Sequence, residues 1–245
     1  MSESAAAKVV LATNNMKKLA ELRQVVADAD LDIEVLGLAD FERYPEPAET
    51  ERTFEGNALI KAREAAHRTG LPALADDSGL EVDELNNCPG VRSSRWAGPE
   101  CDDEANNDLL LRQMTDVPED RRTARFVCAM AFVVPDGNQG VKFSEAKRET
   151  WEGRLAFERH GENGFGYDPL FIPDDAPEVD GRRLASGELY PEVKNELSHR
   201  GKAVRAVLPT VVGLLGKKMP QEQNQPDLEP GAPDDTGEQG NAAVS

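Results

Sequence analysis

The chain has 245 residues, a formal net charge of −18, 39% hydrophobic residues and only 5% aromatics. That length suits one large domain or two small ones around an aliphatic core. The charge argues against a nonspecific hold on nucleic acid, whose phosphates it would repel, but not against a small phosphorylated ligand that meets only its pocket's local field.

Cys88, Cys101 and Cys128 are odd in number and contain no Cys-x-x-Cys pair. A disulfide framework or zinc site is therefore not expected, and a reducing compartment is. Residues 1–7 have neither a basic region nor a long apolar stretch, and no apolar run approaches membrane-spanning length. The expectation is a soluble cytoplasmic protein with no membrane partner.

In chain order, residues 8–13 form an apolar run that predicts a buried strand, punctuated by Asn14 and Asn15. Leu19, Leu22, Val25 and Val26 then share a helical face. Residues 33–36 read as a second strand and 39–52, with Pro45 and Pro47, as a loop. Thr53 can cap a helix running to about Arg68, with Ala58, Leu59, Ala62, Ala65 and Ala66 inward and Gly70 as its stop. Residues 71–75 predict the next strand and 102–115 a helix. Residues 123–134 carry the longest strand signal, with 141–151 as its antiparallel partner. A short strand over 169–172 precedes an acidic loop over 173–186. Residues 198–215 predict a helix, which Pro209 should kink or break at a cost of about 3 kcal/mol. From Lys217 onward large apolar residues almost vanish, so residues 217–245 are expected to be a disordered tail. The order of elements indicates an α/β fold with a mixed sheet.

Five segments carry polar residues that a core does not need. Ala75-Asp-Asp-Ser-Gly-Leu80 sets two carboxylates, Asp76 and Asp77, at the exit of a predicted strand. Such hard oxygen donors suit Mg²⁺, and Gly79 would let the backbone turn or approach a ligand. The turn Thr13-Asn14-Asn15-Met16-Lys17-Lys18 opens a helix, where backbone amides and a lysine can cradle a phosphate; it has no Walker glycines. In residues 161–169, three glycines, Phe165 and Asp168 suit a flat ligand, with a ring to stack on and a carboxylate to read an edge. Lys194, Ser198, His199, Arg200 and Lys202 concentrate positive charge at a helix start, where the macrodipole disfavours it unless an anion or carbonyl oxygen is near. In the loop before Thr53, Glu49 or Glu51 could reach a metal. Singly, each segment also reads as a turn, cap or solvated surface.

Together these segments resemble the inosine triphosphate pyrophosphatases, which hydrolyse noncanonical purine nucleoside triphosphates. The resemblance rests on Leu11-Ala-Thr-Asn-Asn-x-x-Lys18, Thr53-Phe-x-x-Asn-Ala58, Ala75-Asp-Asp-Ser-Gly-Leu80, Pro89-Gly-Val with Ser94-Arg-Trp-Ala-Gly98, Gly164-Phe-Gly-Tyr-Asp-Pro169 and Ser198-His-Arg-Gly201. They occur in the family's order and spacing over residues 8–216; Trp96 stands where tyrosine is usual. The resemblance implies an elongated mixed sheet with flanking helices and two lobes around a substrate cleft, usually in a homodimer. It divides the chain into a disordered N-terminus (1–7), a pyrophosphatase domain (8–216) and the tail.

The implied reaction converts ITP, dITP or XTP to the monophosphate and pyrophosphate. By the same resemblance, Thr13, Asn14, Asn15, Met16, Lys17 and Lys18 hold the triphosphate. Asp77 and Glu49 bind Mg²⁺, for which Mn²⁺ substitutes, and Asp77 acts as, or orients, the base. Ser78 touches the substrate and Asp76 assists. Phe165, with Gly166 and Tyr167, stacks on the purine, and Asp168 reads its edge. Lys194, His199 and Arg200 close around the base and donate to its 6-oxo group, where an adenine amino group would face donor against donor. Two competing readings are a pyrophosphatase for modified pyrimidine nucleotides and a nucleotide-sensing module without turnover. Both aspartates, Lys18 and Glu49 argue against the latter.

Overall fold

A computed structural model describes residues 6–215; the expectations for residues 1–5 and for the tail lie outside the described residues. Strand β1 (Ala7–Leu11) begins one residue inside the segment expected to be disordered. It is buried from Val9 onward because parallel neighbours flank it, β2 (Ile33–Gly37) and β3 (Ala73–Val82). Helix α1 (Met16–Asp28) links β1 to β2 and buries Leu19, Leu22 and Val26. Helix α2 (Phe54–Thr69) leads to β3. Thr53 caps it, accepting the Gly56 amide at 3.1 Å, and Gly70 ends it in the left-handed region at φ 68°.

β3 is ten residues long, twice the predicted strand, so the acidic pair lies inside it and not at its exit. The cause is β5 (Thr123–Pro135), which pairs antiparallel with β3 along its whole length, setting Asp76 opposite Met130 and Asp77 opposite Ala129. A long partner ladder overrides the poor strand propensity of aspartate. The two-residue β4 (Cys88–Pro89) pairs with the far end of β3. β6 (Val141–Leu155) follows β5 throughout, and β7 (Phe171–Pro173) pairs with its end. The sheet order is β2-β1-β3-β5-β6-β7, with β4 on β3. Within the expected acidic loop, β8 (Glu178–Val179) and β9 (Arg182–Arg183) form a small separate hairpin.

Helix α3 (Asp103–Gln113) is capped by Asp102; α4 (Pro191–Leu197) and α5 (His199–Leu215) close the chain. α5 runs through Pro209 without the expected break. Pro209 is exposed, so the carbonyl it leaves unpaired can reach water, while Ala203, Val204, Val207 and Val211 are buried against the sheet. That burial offsets a cost of about 3 kcal/mol. α1 and α5 cover one face of the sheet and α2 the other. A third core around Leu80, Leu110, Phe126, Trp151 and Phe171 forms the second lobe.

Cys128 lies buried in β5, and burial pushes its thiol up to about 12, so it stays protonated at pH 8. Cys88 and Cys101 are exposed. A thiol reagent at pH 8 should therefore titrate two cysteines in the native protein and all three in denaturant; a fast third thiol in the native state would contradict the packing of β5.

Candidate active site

The pairing of β1 with β3 stops at Leu11 opposite Leu74, and β4 takes up the same strand only at Glu81. Between them, residues 75–80 face loops on that side. Successive strand residues point to opposite faces, so Asp77 projects toward α2 and Asp76 toward α1 and α5.

On the α2 side, Asp77 accepts from Asn57 Nδ2 and from Lys61 Nζ, each at 3.1 Å. Lys61 also binds Glu49 Oε1 at 2.8 Å, and Glu49 Oε2 accepts from Arg95 at 2.8 Å. One ammonium thus joins the two carboxylates expected to be metal ligands. Burial, opposed by Lys61 and reinforced by Glu49, leaves the Asp77 carboxyl above its ordinary value. Burial also pushes Glu49 up, but hydrogen bonds from Lys61 and Arg95 prevail and hold it low. Asn57, fully buried, accepts the amide of Glu51 at 3.0 Å and so ties the acidic loop to Asp77. Among the described residues, no group of three or more His, Cys, Asp or Glu is arranged to hold a metal ion. Two carboxylates meeting at one cationic point do fit Mg²⁺, which commonly takes one or two carboxylates and completes its shell with water and substrate phosphates.

On the other face, Asp76 Oδ2 receives Lys18 Nζ at 2.7 Å, Ser78 Oγ at 3.2 Å and Arg200 Nε at 3.4 Å. Burial would raise Asp76, but Lys18 and then Arg200 hold it well below the usual carboxylate range. In the β1–α1 turn, Thr13 Oγ1 accepts the Asn15 amide at 3.1 Å. Asn15 caps α1 by taking the amides of Lys17 (2.9 Å) and Lys18 (3.4 Å). Those two amides, expected to cradle phosphate, are therefore satisfied by the protein itself. Asn14, Met16 and Lys17 are exposed on the turn.

Beyond Arg200 lies a cavity of about 130 Å³ lined by Ser78, Phe165, Asp168, Lys194 and His199 among others. The Arg200 guanidinium and the Lys194 ammonium each sit 5.3 Å from the centre of the Phe165 ring. Lys194 pairs with Asp168, which also accepts from Ser186 Oγ at 2.8 Å and the Phe165 amide at 2.8 Å. Gly164 turns through φ 86°, and a Cβ there would strike Asp168 and Lys194, so the loop needs glycine at this point. Tyr167 is buried and donates to the Ser93 carbonyl at 2.8 Å, which makes it a wall of the pocket. His199 is buried beside Phe126 at 4.9 Å, and its Nδ1 has no partner among the described residues. Burial, with Arg200 and Lys194 adding to it, lowers His199 far enough to keep it neutral. A second cavity, of about 420 Å³, lies behind Lys18 and Arg200, with Glu21, Glu192, Leu22 and Val25 in its walls. Those walls are acidic and apolar, and they suit a phosphate less well.

Lys61, Asn57 and Arg95 join the site without having been among its expected residues. The signal was present: Asn57 and Lys61 are one helical turn apart on the alanine face of α2, where a core needs no polar side chain. Gly79 also differs from expectation. It lies within β3, and a Cβ would stand 2.6 Å from the Gly90 carbonyl and 2.9 Å from Phe54, and would clash with Ser93 Oγ. Its close approach is to the protein's own 90–95 turn.

Residues 9–210 match the model of the Ham1 family. The chain is 57% identical over 208 residues to a dITP/XTP pyrophosphatase of Cutibacterium acnes, covering 85% of this chain and 98% of that protein. It is 52% identical over 211 residues to a dITP/XTP pyrophosphatase of Corynebacterium efficiens, covering 86% and 100%. Among solved structures, a HAM1 protein from Coxiella burnetii superposes with a TM-score of 0.73 at 39% identity, covering 84% of this chain and 99% of that one. A nucleoside-triphosphatase / dITP/XTP pyrophosphatase from Mycobacterium abscessus gives 0.66 at 46% identity, covering 83% and 99%.

Gly79→Ala should push the 90–95 turn away from β3 and destabilise the fold by about 1–3 kcal/mol. Thermal unfolding checks this; an unchanged melting temperature would show that the turn yields freely.

Proposed function

The chain belongs to the Ham1 family, and from that premise we propose that it hydrolyses noncanonical purine nucleoside triphosphates such as dITP, ITP and XTP to the monophosphate and pyrophosphate. The observation that carries this reading is the juxtaposition at the β3 edge. A carboxylate pair suited to a divalent cation faces one side, and a ring-lined pocket rich in hydrogen-bond donors lies on the other, with Asp76, Lys18 and Arg200 between them.

In this reading the 13–18 turn holds the triphosphate, Lys18 offsets charge that builds up as the anhydride breaks, and Ser78 contacts the substrate. Glu49 and Asp77 hold Mg²⁺, or Mn²⁺ in its place. When bound, the ion neutralises phosphate charge and acts as a Lewis acid. Asp77 accepts the proton of the attacking water, or orients the group that does. Its raised proton affinity suits that task. Lys61 keeps Asp77 and Glu49 close without mutual repulsion. Phe165 stacks on the purine, Asp168 reads its edge, and Lys194, His199 and Arg200 donate to the 6-oxo group. His199, being neutral, donates through a single N–H.

No helix among the described residues is long and apolar enough to cross a membrane. A cytoplasmic homodimer with no nucleic-acid partner completes the proposal.

Pyrophosphate release from ITP, dTTP and ATP, with Mg²⁺ and with excess EDTA, tests the reading. ITP should be cleaved far faster than the other two, and only with the metal. Asp77→Asn should fold normally and lose more than ~90% of kcat, a barrier increase above ~1.4 kcal/mol. Rapid turnover of dTTP, or full activity in EDTA, would overturn the assignment.

Arg200→Ala frees Asp76 and Lys18 and should slow every substrate. It should slow ITP most, because a charged hydrogen bond to the 6-oxo group contributes about 1.5–3 kcal/mol. The preference for ITP over ATP should shrink by roughly ten- to a hundredfold. Parallel kinetics on the two substrates decide; an unchanged ratio would leave Arg200 a general anion contact.

A further inference from the structure

The base pocket takes its lining from β3, β5, α4 and α5 and from two segments that are neither strand nor long helix, Ser93–Ser94 and Phe165–Asp168. Both segments are held by α3, an element that none of the roles above uses. Asp103, in its first turn, accepts the Gly166 amide through Oδ2 at 2.7 Å. One turn later, Asn107 donates through Nδ2 to the Gly166 carbonyl at 2.8 Å. The amide and the carbonyl of the residue after the stacking ring are thus both gripped from one helix face. Gly166 has φ 61°, in the left-handed region that favours glycine, so the chain turns sharply just after the ring. The other wall is gripped in the same way. Asn106 donates to the Ser94 carbonyl at 3.0 Å and accepts the Ala97 amide at 2.7 Å.

Asn106 and Asn107 are only 2% and 1% exposed. Consecutive residues on a helix point about 100° apart, so two adjacent buried asparagines can address two different loops. Burying a polar amide is costly unless its bonds are made. Asn106 makes both, whereas Asn107 donates to the Asp103 and Gly166 carbonyls and leaves Oδ1 without a partner among the described residues, so asparagine there calls for a reason beyond core filling. Tyr167 closes the frame by reaching from the second segment to the Ser93 carbonyl of the first.

We propose that α3 is the frame of the base pocket, with Asp103 and Asn107 as positioning residues that hold Gly166 and so aim Phe165 and Asp168 at the purine. Neither acts on the phosphates. The proposal rests on the base-pocket reading above and names the residues that make that pocket selective.

Asp103→Ala is the informative variant: Asp103 is exposed in the lining of the pocket, so its removal opens no core, and Asn107, which is not in the lining, separates a grip on Gly166 from a direct contact with the ligand. Asp103→Asn keeps an acceptor oxygen and serves as the conservative rescue. Asn107→Leu removes the second grip while keeping the branched shape of the side chain. Binding of inosine monophosphate, which fills the base pocket, and of inorganic tripolyphosphate, which does not, is measured by calorimetry with Mg²⁺ present. Melting temperature is followed alongside.

Asp103→Ala should weaken inosine monophosphate about tenfold, ~1.4 kcal/mol, and leave tripolyphosphate within twofold. In turnover, KM for ITP should rise while kcat stays within a factor of about three. Asp103→Asn should recover at least half of the loss in binding, and Asn107→Leu should repeat the selective pattern. Three results would overturn the proposal: monophosphate binding unchanged in both Asp103→Ala and Asn107→Leu, both ligands weakened in parallel, or no recovery in Asp103→Asn. A wild-type protein that releases no pyrophosphate from ITP would instead sink the functional reading itself.

Discussion

Neighbouring residues of a strand cannot share a face, and the arrangement of the site follows from that constraint. Asp76 and Asp77 leave β3 in opposite directions, so each gathers its own cations, Lys18 and Arg200 on one side and Lys61 on the other. In the middle of a closed sheet, groups on opposite faces would be separated by the sheet itself. Here β1 ends at Leu11 and β4 begins late, so no strand covers this edge of β3 at Asp76 and Asp77. A ligand lying along the edge can reach both faces. The same gap brings the β1–α1 turn beside the acidic pair, at the carboxyl end of a parallel strand where α/β sheets usually open a crevice.

Electrostatics keep this edge from collapsing or repelling its ligand. The chain carries a net charge of −18, yet the carboxylates nearest the site are matched by Lys18, Lys61, Arg95, Lys194 and Arg200. Arg200 would lose proton affinity by burial, but Asp76 more than restores it. Buried ion pairs of this kind are weak sources of stability, because desolvation offsets much of their attraction. What they supply is preset geometry and charge, which need little rearrangement when a charged ligand arrives.

Much of this was legible in the sequence. The apolar run at Val9–Leu11, the Thr53 cap, the Gly70 stop and the long β5–β6 signal each declare themselves through local chemistry. The length of β3 was not legible. Aspartates end strands by propensity, and only the distant partner β5 shows why they do not end this one. Pro209 misleads for the same reason, since a helix face anchored by valines outweighs a local fault. Within the site, Asp76 and Asp77 stood out as an acidic pair, whereas Glu49 was set apart from Glu51 only by the family resemblance. Lys61 did not stand out, because a lysine on an amphipathic helix is ordinarily solvated surface, and its burial appears only once α2 lies on the sheet.

How closely α2 lies on the sheet is itself written in alanines. The inward face of the helix is Ala58, Ala62, Ala65 and Ala66, and the strands beneath offer Ala73, Ala75, Ala129 and Ala131. Such a layer buries less apolar area per residue than leucines would, so it is a poor choice for hydrophobic stabilisation alone. Small side chains on both surfaces let the two backbones approach. Asn57 has only a short side chain, yet it reaches Asp77 at 3.1 Å while its carbonyl oxygen holds the amide of Glu51. Leucines in this layer would push the helix outward and take Asn57 and Lys61 beyond hydrogen-bond range. The thinness of the core over α2 and the closeness of Asp77 to Glu49 are therefore one design, in which packing volume is given up so that two carboxylates can be held side by side.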